Sequence, residues 1–216
     1  MKSQLLYSLF LVSFLTVSIK GETKPDEISN EGISVGINLF NAYPFPFTMK
    51  NEHLKYFEPN LKVPLSNAKY FWTTSIGYTE YGKNPVYNNL DYTVKGVYIK
   101  TGIETNAKAD GWFSNGIALC FSRFTESGTF FFEGNYFNNY EIPFPNRLKN
   151  NFFVEPYFML RIPFFKLISF EPRLNVDLFF EKNNTDIPTY YIPGSGYTNS
   201  INFINASVDF KLFLKL

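Results

Sequence analysis

Leu167 to Glu181 reads LISFEPRLNVDLFFE. Ile168, Phe170, Pro172, Leu174, Val176, Leu178 and Phe180 form one alternate set, all apolar. Ser169, Glu171, Arg173, Asn175, Asp177, Phe179 and Glu181 form the other, which carries charges of both signs. Side chains on a strand alternate faces with period two, so the run is a two-faced β-strand. It covers about fifteen residues, against a usual five or six. A tilted strand needs about 9–11 residues to cross a bilayer, so the run is long enough to do so.

The same alternation recurs along the chain. Ile33–Phe40 sets Ile33, Val35, Ile37 and Leu39 against Ser34, Gly36 and Asn38. Further segments are expected at about His53–Leu65, Lys69–Tyr81, Tyr92–Thr105, Trp112–Phe124 and Phe152–Ile162, then the opening stretch. A last one runs from Ile204 to Leu216. Turn-forming residues separate them: YPFPF at Tyr43–Phe47, Ser66–Ala68, Gly82–Leu90, Asn106–Gly111, and Pro163–Lys166. Thr125–Asn150 and Lys182–Ser200 are expected to be long connections, although Thr129–Glu133 (TFFFE) has strand propensity. Short connections follow the second, fourth and sixth segments and long ones the others. Short turns at one end and longer loops at the other are features of outer-membrane barrels, whose strand number is even. The fold expected is all-β: a single antiparallel up-and-down β-barrel of about eight strands, transmembrane.

The N-terminus reads as an export signal. Lys2 precedes an apolar run, Leu5–Val17, which is short for a membrane helix, and small residues near Gly21 offer a cleavage site. The expected organisation is a signal peptide at 1–21, a flexible polar leader at 22–31 and a barrel at 32–216. No cysteine follows the apolar run, which argues against a lipid-modified N-terminus. Cys120 is the single cysteine, so an internal disulfide framework is excluded. Between Leu119 and Phe121 it reads as a small strand residue and not as a reactive thiol. Twenty Lys and Arg against nineteen Asp and Glu leave no basic excess for nucleic acid.

Alternation alone does not say which face meets solvent; a soluble barrel would place the apolar set inside. Aromatics at the segment ends argue for the membrane version. Tyr70, Trp112, Phe164 and Phe165 lie at one end, and Tyr43, Phe45, Phe47, Tyr136, Phe137 and Tyr140 at the other, as in an aromatic girdle. The polar face then becomes an interior. Glu58, Glu104, Glu155, Glu171, Asp177 and Asp209 are matched there by Lys62, Lys100, Arg161, Arg173, Lys211 and Lys215. An eight-stranded barrel is just wide enough for side chains to fill it, and buried charges must be paired. The expectation is a plugged, charge-paired interior and no open pore. Pro59, Pro156 and Pro172, each after a glutamate, stand inside expected strands, where each removes a ladder hydrogen bond.

Lys95-Gly96-Val97-Tyr98, the repeated Glu-Pro strands, Pro193-Gly194-Ser195-Gly196-Tyr197 and the alternating C-terminal strand resemble the small outer-membrane β-barrel proteins of Bacteroidota, of domain-of-unknown-function type. Leu216 stands where barrels of other Gram-negative groups commonly end in phenylalanine. The resemblance supplies no catalytic residues. His53, the single histidine, lies beside Glu52, and with one His and one Cys no zinc spacing exists. Gly194-Ser195-Gly196 lacks a strand-to-helix context, so it reads as a loop and not as a phosphate cradle. Asn183-Asn184-Thr185 and Asn205-Ala206-Ser207 are sequon-like without consequence for a bacterial protein.

The function expected is a non-enzymatic outer-membrane barrel with a structural or surface-interaction role. Its expected partners are outer-membrane lipid, the barrel-assembly machinery and an extracellular partner reached through loops 42–52, 125–150 and 182–201. No cofactor, metal or nucleic acid is expected. The alternatives are a small lipid-acting enzyme using His53 and a soluble exported lipid-binding barrel.

Overall fold

The computed structural model describes residues 32–42, 52–65, 70–87, 90–105, 112–132, 140–180, 189, 191–197 and 204–216. Several sequence expectations lie outside these residues: the signal peptide, the leader, the YPFPF loop, the turns at 66–68 and 106–111, Tyr136, Phe137 and the 183–185 sequon. The side chain of His53 is also outside them.

The described chain is all β. Its strands are β1 (Ser34–Ala42), β2 (Glu52–Phe57), β3 (Pro59–Pro64), β4 (Tyr70–Tyr87), β5 (Leu90–Thr105) and β6 (Phe113–Phe132). They continue with β7 (Tyr140–Leu160), β8 (Ile162–Phe165), β9 (Ile168–Phe179), β10 (Tyr191–Ile192), β11 (Gly196–Tyr197) and β12 (Ile204–Lys215). The main sheet is antiparallel and runs β12-β1-β3-β4-β5-β6-β7-β9, and β9 pairs back onto β12, so the hydrogen bonding closes into a ring. The closing seam is long, from Ile204 opposite Leu178 to Leu214 opposite Ile168.

Twelve strands replace the expected eight or so. Part of the excess comes from two splits, one at the Glu58-Pro59 pair and one at Arg161. Glu58 separates β2 from β3, and Pro59 opens β3, a position where a missing N–H is tolerated. Pro156 pairs with Ile117 on one side, while on the other the β7–β9 ladder skips from Val154–Leu178 to Tyr157–Asn175. Pro172 pairs with Phe210 of β12, but toward β7 the ladder stops at Arg173 and resumes in β8 at Phe170, around the break at Arg161. Each proline thus sits where pairing on one side is already interrupted.

The long connections are also revised. Gly82–Tyr87 is strand and not loop, and only residues 88–89 separate β4 from β5. Most of Thr125–Asn150 is a paired hairpin, with Phe132 opposite Tyr140. The TFFFE propensity is realised there for Thr129–Phe132 in β6. Pro163–Phe165 belongs to β8, and the turn falls at Lys166–Leu167. Cross-strand pairs of Phe, Tyr and Thr outweigh the local turn residues once partners are present.

The two faces of the ring are chemically opposite. Ile76, Val97, Ile99, Ile103, Ile117, Leu119, Phe121, Phe152, Phe158 and Leu174 point outward and are exposed. Glu58, Lys62, Lys100, Glu104, Glu155, Asp177, Asp209 and Lys211 point inward and are buried. The outward band ends at charge. Lys55, Glu80 and Lys95 form an ion cluster on the outer face of β2, β4 and β5, with Lys95–Glu80 at 3.2 Å. Below it, β5 carries no outward charge down to Thr105. That interval is about ten residues; at about 3.4 Å each and a tilt of about 40° it stands about 26 Å tall, close to the apolar band of a membrane barrel. The hydroxyls within it satisfy one another: Trp72 Nε1 donates to Thr101 Oγ1 at 2.9 Å, and Thr74 Oγ1 lies 3.2 Å from the same oxygen.

Candidate functional site

The candidate site is the polar column inside the ring. It is built in tiers, because each strand contributes every second residue to the inward face. The lowest tier gathers Lys62 of β3, Glu104 of β5, Glu171 and Arg173 of β9, and Arg161 between β7 and β8. Lys62 Nζ reaches Glu104 at 2.9 Å and Glu171 at 2.5 Å. Arg161 reaches Glu104 at 3.2 Å and Glu171 at 3.3 Å, and Arg173 reaches Glu104 at 3.4 Å. Aromatic faces complete the tier, with the Arg173 guanidinium 3.9 Å from the Tyr157 ring and Lys62 Nζ 4.3 Å from that of Phe213.

The middle tier centres on Glu58. Lys211 Nζ lies 2.7 Å from its Oε1 and 2.8 Å from Asn60 Oδ1. Tyr98 and Tyr56 donate their hydroxyls to Glu58 Oε2 at 2.6 and 2.5 Å. Tyr98 can lie across the ring interior because its cross-strand partner is Gly77: a Cβ there would stand 2.0 Å from Tyr98 Cζ. Gly116 makes the same room for Tyr157, where the added Cβ would be 2.4 Å from Cζ. Lys100 pairs with Glu155, and Asp209 lies 3.9 Å from Lys211.

The upper tier was not legible as a site in the sequence. Glu126 is fully buried and takes Arg147 at 2.6 Å, Lys149 at 2.8 Å and the Tyr92 hydroxyl at 2.7 Å. Lys149 also donates to Thr189 at 2.5 Å. The signal was present: Glu126 continues the parity of Ser122 and Phe124, and Arg147 and Lys149 share that of Phe153 and Glu155. Reading 125–150 as a connection hides it, because the parity then has no strand to act on.

A larger correction concerns Thr189 and residues 191–197, the described part of the 182–201 stretch expected to reach an extracellular partner. Thr189 and the 191–196 stretch are buried. Strands β10 and β11, two residues each, make a small hairpin with positive φ at Gly194 and Gly196, a conformation that glycine adopts without steric penalty. Tyr191 stacks on Tyr81 with ring centroids 4.6 Å apart. Ser195 donates its hydroxyl to Asp177 Oδ2 at 2.6 Å, and Asn205 Nδ2 donates to the Ser195 carbonyl at 2.9 Å. Gly194 packs on the Tyr98 ring. The segment is thus an inward plug resting on the middle tier.

Of the twelve residues expected in the network, Glu58, Lys62, Lys100, Glu104, Glu155, Glu171, Arg173, Asp177, Asp209 and Lys211 are buried on the inward face. Arg161 and Lys215 stand half-buried at the lower mouth, and Lys215 forms no ion pair with a described residue. Cys120 is buried on the inward face, with Lys100 and Phe153 as its cross-strand partners. Among the described residues, no group of three or more His, Cys, Asp or Glu side chains is placed to hold a metal ion.

A family model described as a domain of unknown function (DUF6048) matches residues 2–214. The chain belongs to the DUF6048 family. No curated protein sequence matches this DUF6048 chain. Among solved structures, it is similar to Neisserial surface protein A over 86% of its own length and 97% of the other, at 8% identity and a TM-score of 0.41. It is similar to the beta domain of the Bordetella autotransporter BrkA over 86% and 99%, at 10% identity and 0.45. The translocator domain of the autotransporter NalP from Neisseria meningitidis is similar over 98% and 95%, at 8% identity and 0.43.

Proposed function

We propose that the chain is a transmembrane β-barrel of the bacterial outer membrane, of the Bacteroidota type, exported by an N-terminal signal and closed to solutes. Its role is structural or one of surface interaction, and not catalytic. The observation that carries this reading is the inversion of the two faces: ionisable side chains are buried and large apolar ones are exposed around the ring. Water-soluble monomers rarely expose contiguous apolar areas beyond a few hundred Å². A hydrocarbon surround removes that penalty, and a ring closed by β12 on β9 has no open sheet edge to expose to lipid. A soluble lipid carrier needs an apolar lumen, which the three charged tiers deny it.

The closed interior supports a role without conduction. Acids and bases meet directly in each tier, and the 191–197 plug covers the middle one. Outer-membrane lipid and the barrel-assembly machinery are the partners such a barrel requires. Its outer contacts would fall on the β6–β7 hairpin, whose Phe132, Tyr140, Ile142 and Leu148 are exposed, and not on the inward 191–197 segment.

Cell fractionation with gel mobility tests the reading. The chain should sediment with the outer membrane, and its unboiled form should migrate differently from the boiled one. In planar bilayers the purified protein should show no steady conductance. Recovery in the soluble periplasmic fraction without a mobility shift would defeat the reading.

A further inference from the structure

We propose that the lower mouth of the ring binds the phosphate of an anionic phospholipid of the adjoining leaflet; this rests on the membrane-barrel reading. A cavity of about 150 Å³ opens where the Lys166–Leu167 turn meets Gly32. Four bases line it, Lys62, Arg161, Lys166 and Lys215, against a single acid, Glu171. That acid is already engaged on both oxygens. Lys62 holds Oε2, while Arg161 and Ser169, at 3.3 and 3.4 Å, hold Oε1. Lys62 and Arg161 are shared further with Glu104. Lys166 and Lys215 form no ion pair with any described residue. The mouth therefore holds positive charge that its own described carboxylates do not neutralise.

The shape of the cavity selects the kind of anion. Its other wall is apolar and continuous with the outer band: Pro163, Phe165, Leu167 and Ile168 line it. Phe165 is 73% exposed and Leu167 56% exposed, at the level where the strands end. A ligand seated here meets ammonium and guanidinium groups on the lumen side and aromatic and aliphatic side chains on the outside. A phosphodiester head with acyl chains running up the outer face satisfies both, whereas a free anion uses only the first. Lysines at a membrane interface attract anionic lipid in the same way.

The test uses the full chain reconstituted in nanodiscs of phosphatidylcholine with a minor share of phosphatidylglycerol, released into the gas phase and weighed with its retained lipid. One phosphatidylglycerol per chain should be retained in preference to phosphatidylcholine. Lys166→Gln with Lys215→Gln should lower that preference on the order of thirtyfold, the effect of losing two interfacial cations. Gel mobility of the same samples reports insertion independently. An unshifted protein refutes the barrel reading, while a shifted protein that retains both lipids equally refutes only the lipid site. Displacement of the lipid by inorganic phosphate at millimolar concentration would make the mouth a free-anion site and overturn the proposal. Retention that appears only after residues 22–31 are removed would also overturn it, by assigning the mouth to the acidic leader of the chain itself.

Discussion

Ile99→Lys separates the membrane barrel from every soluble alternative. Ile99 lies on the outer face of β5, opposite Ile76 on β4 and Phe121 on β6, and is 43% exposed. It stands four residues below the outward charge of Lys95 and six above Thr105, near the middle of the apolar band. In water, a lysine at such an exposed strand position changes stability by about 0.5 kcal/mol or less. At the midplane of a bilayer it costs about 2–4 kcal/mol. With a urea slope of about 2 kcal/mol per molar, a loss of about 3 kcal/mol lowers the unfolding midpoint by about 1.5 M. Depth supplies an internal control. Val97→Lys, two residues from Lys95, sits near the interface, where the penalty falls to about 0–1 kcal/mol. Equilibrium unfolding in lipid vesicles, followed by tryptophan emission and mobility shift, measures both. Equal midpoints for Ile99→Lys, Val97→Lys and the parent protein would refute the assignment of this face to lipid.

Lys211→Met removes the cation nearest both Glu58 and Asp209 and should destabilise by about 3–5 kcal/mol, the penalty for stranding a buried charge. Adding Glu58→Gln should recover part of that loss in the same unfolding assay, and strict additivity of the two changes would contradict direct pairing. Gly77→Ala forces the Tyr98 ring away from Glu58 and should cost about 1–3 kcal/mol by overpacking. Combining it with Tyr98→Ala should erase the extra penalty; a double variant that behaves as the sum would rule out the steric explanation. Ser195→Ala deprives Asp177 of a donor and should weaken the seating of the plug by about 1–3 kcal/mol. Limited proteolysis of reconstituted protein should then nick the 189–197 region faster, and an unchanged rate would mean the hairpin is held by packing alone.

The opening stretch shows what could be read locally. In LISFEPRLNVDLFFE the inward set, Glu171, Arg173, Asn175 and Asp177, is the set that alternation separates from Leu174, Val176 and Leu178. Its Pro172 could not be placed from the sequence, because the consequence of a missing N–H depends on whether the neighbouring strand offers a carbonyl there. Its neighbour on that side breaks at Arg161, so the ladder has already parted. The hairpins beyond Tyr81 and Phe124 were hidden for a related reason: glycine, asparagine and proline mark turns only until a partner strand offers cross-strand contacts.

Alternation, strand-length runs and the balance of acids and bases are properties of neighbouring residues, and the sequence by itself determined them. Which acid meets which base was not among them, since Lys62 and Glu171 are brought together only by ring closure. The same holds for Glu126 with Arg147 and Lys149, which needs the β6–β7 pairing to carry on past Phe124. The inward turn of 191–197 was decided only by tertiary structure. A short segment with two glycines is as suited to an outer loop as to a lumen, and a lumen exists only after β12 closes on β9. A period of two assigns residues to faces but is unchanged when the faces are exchanged; the direction of curvature, set by every strand together, made one of them the inside.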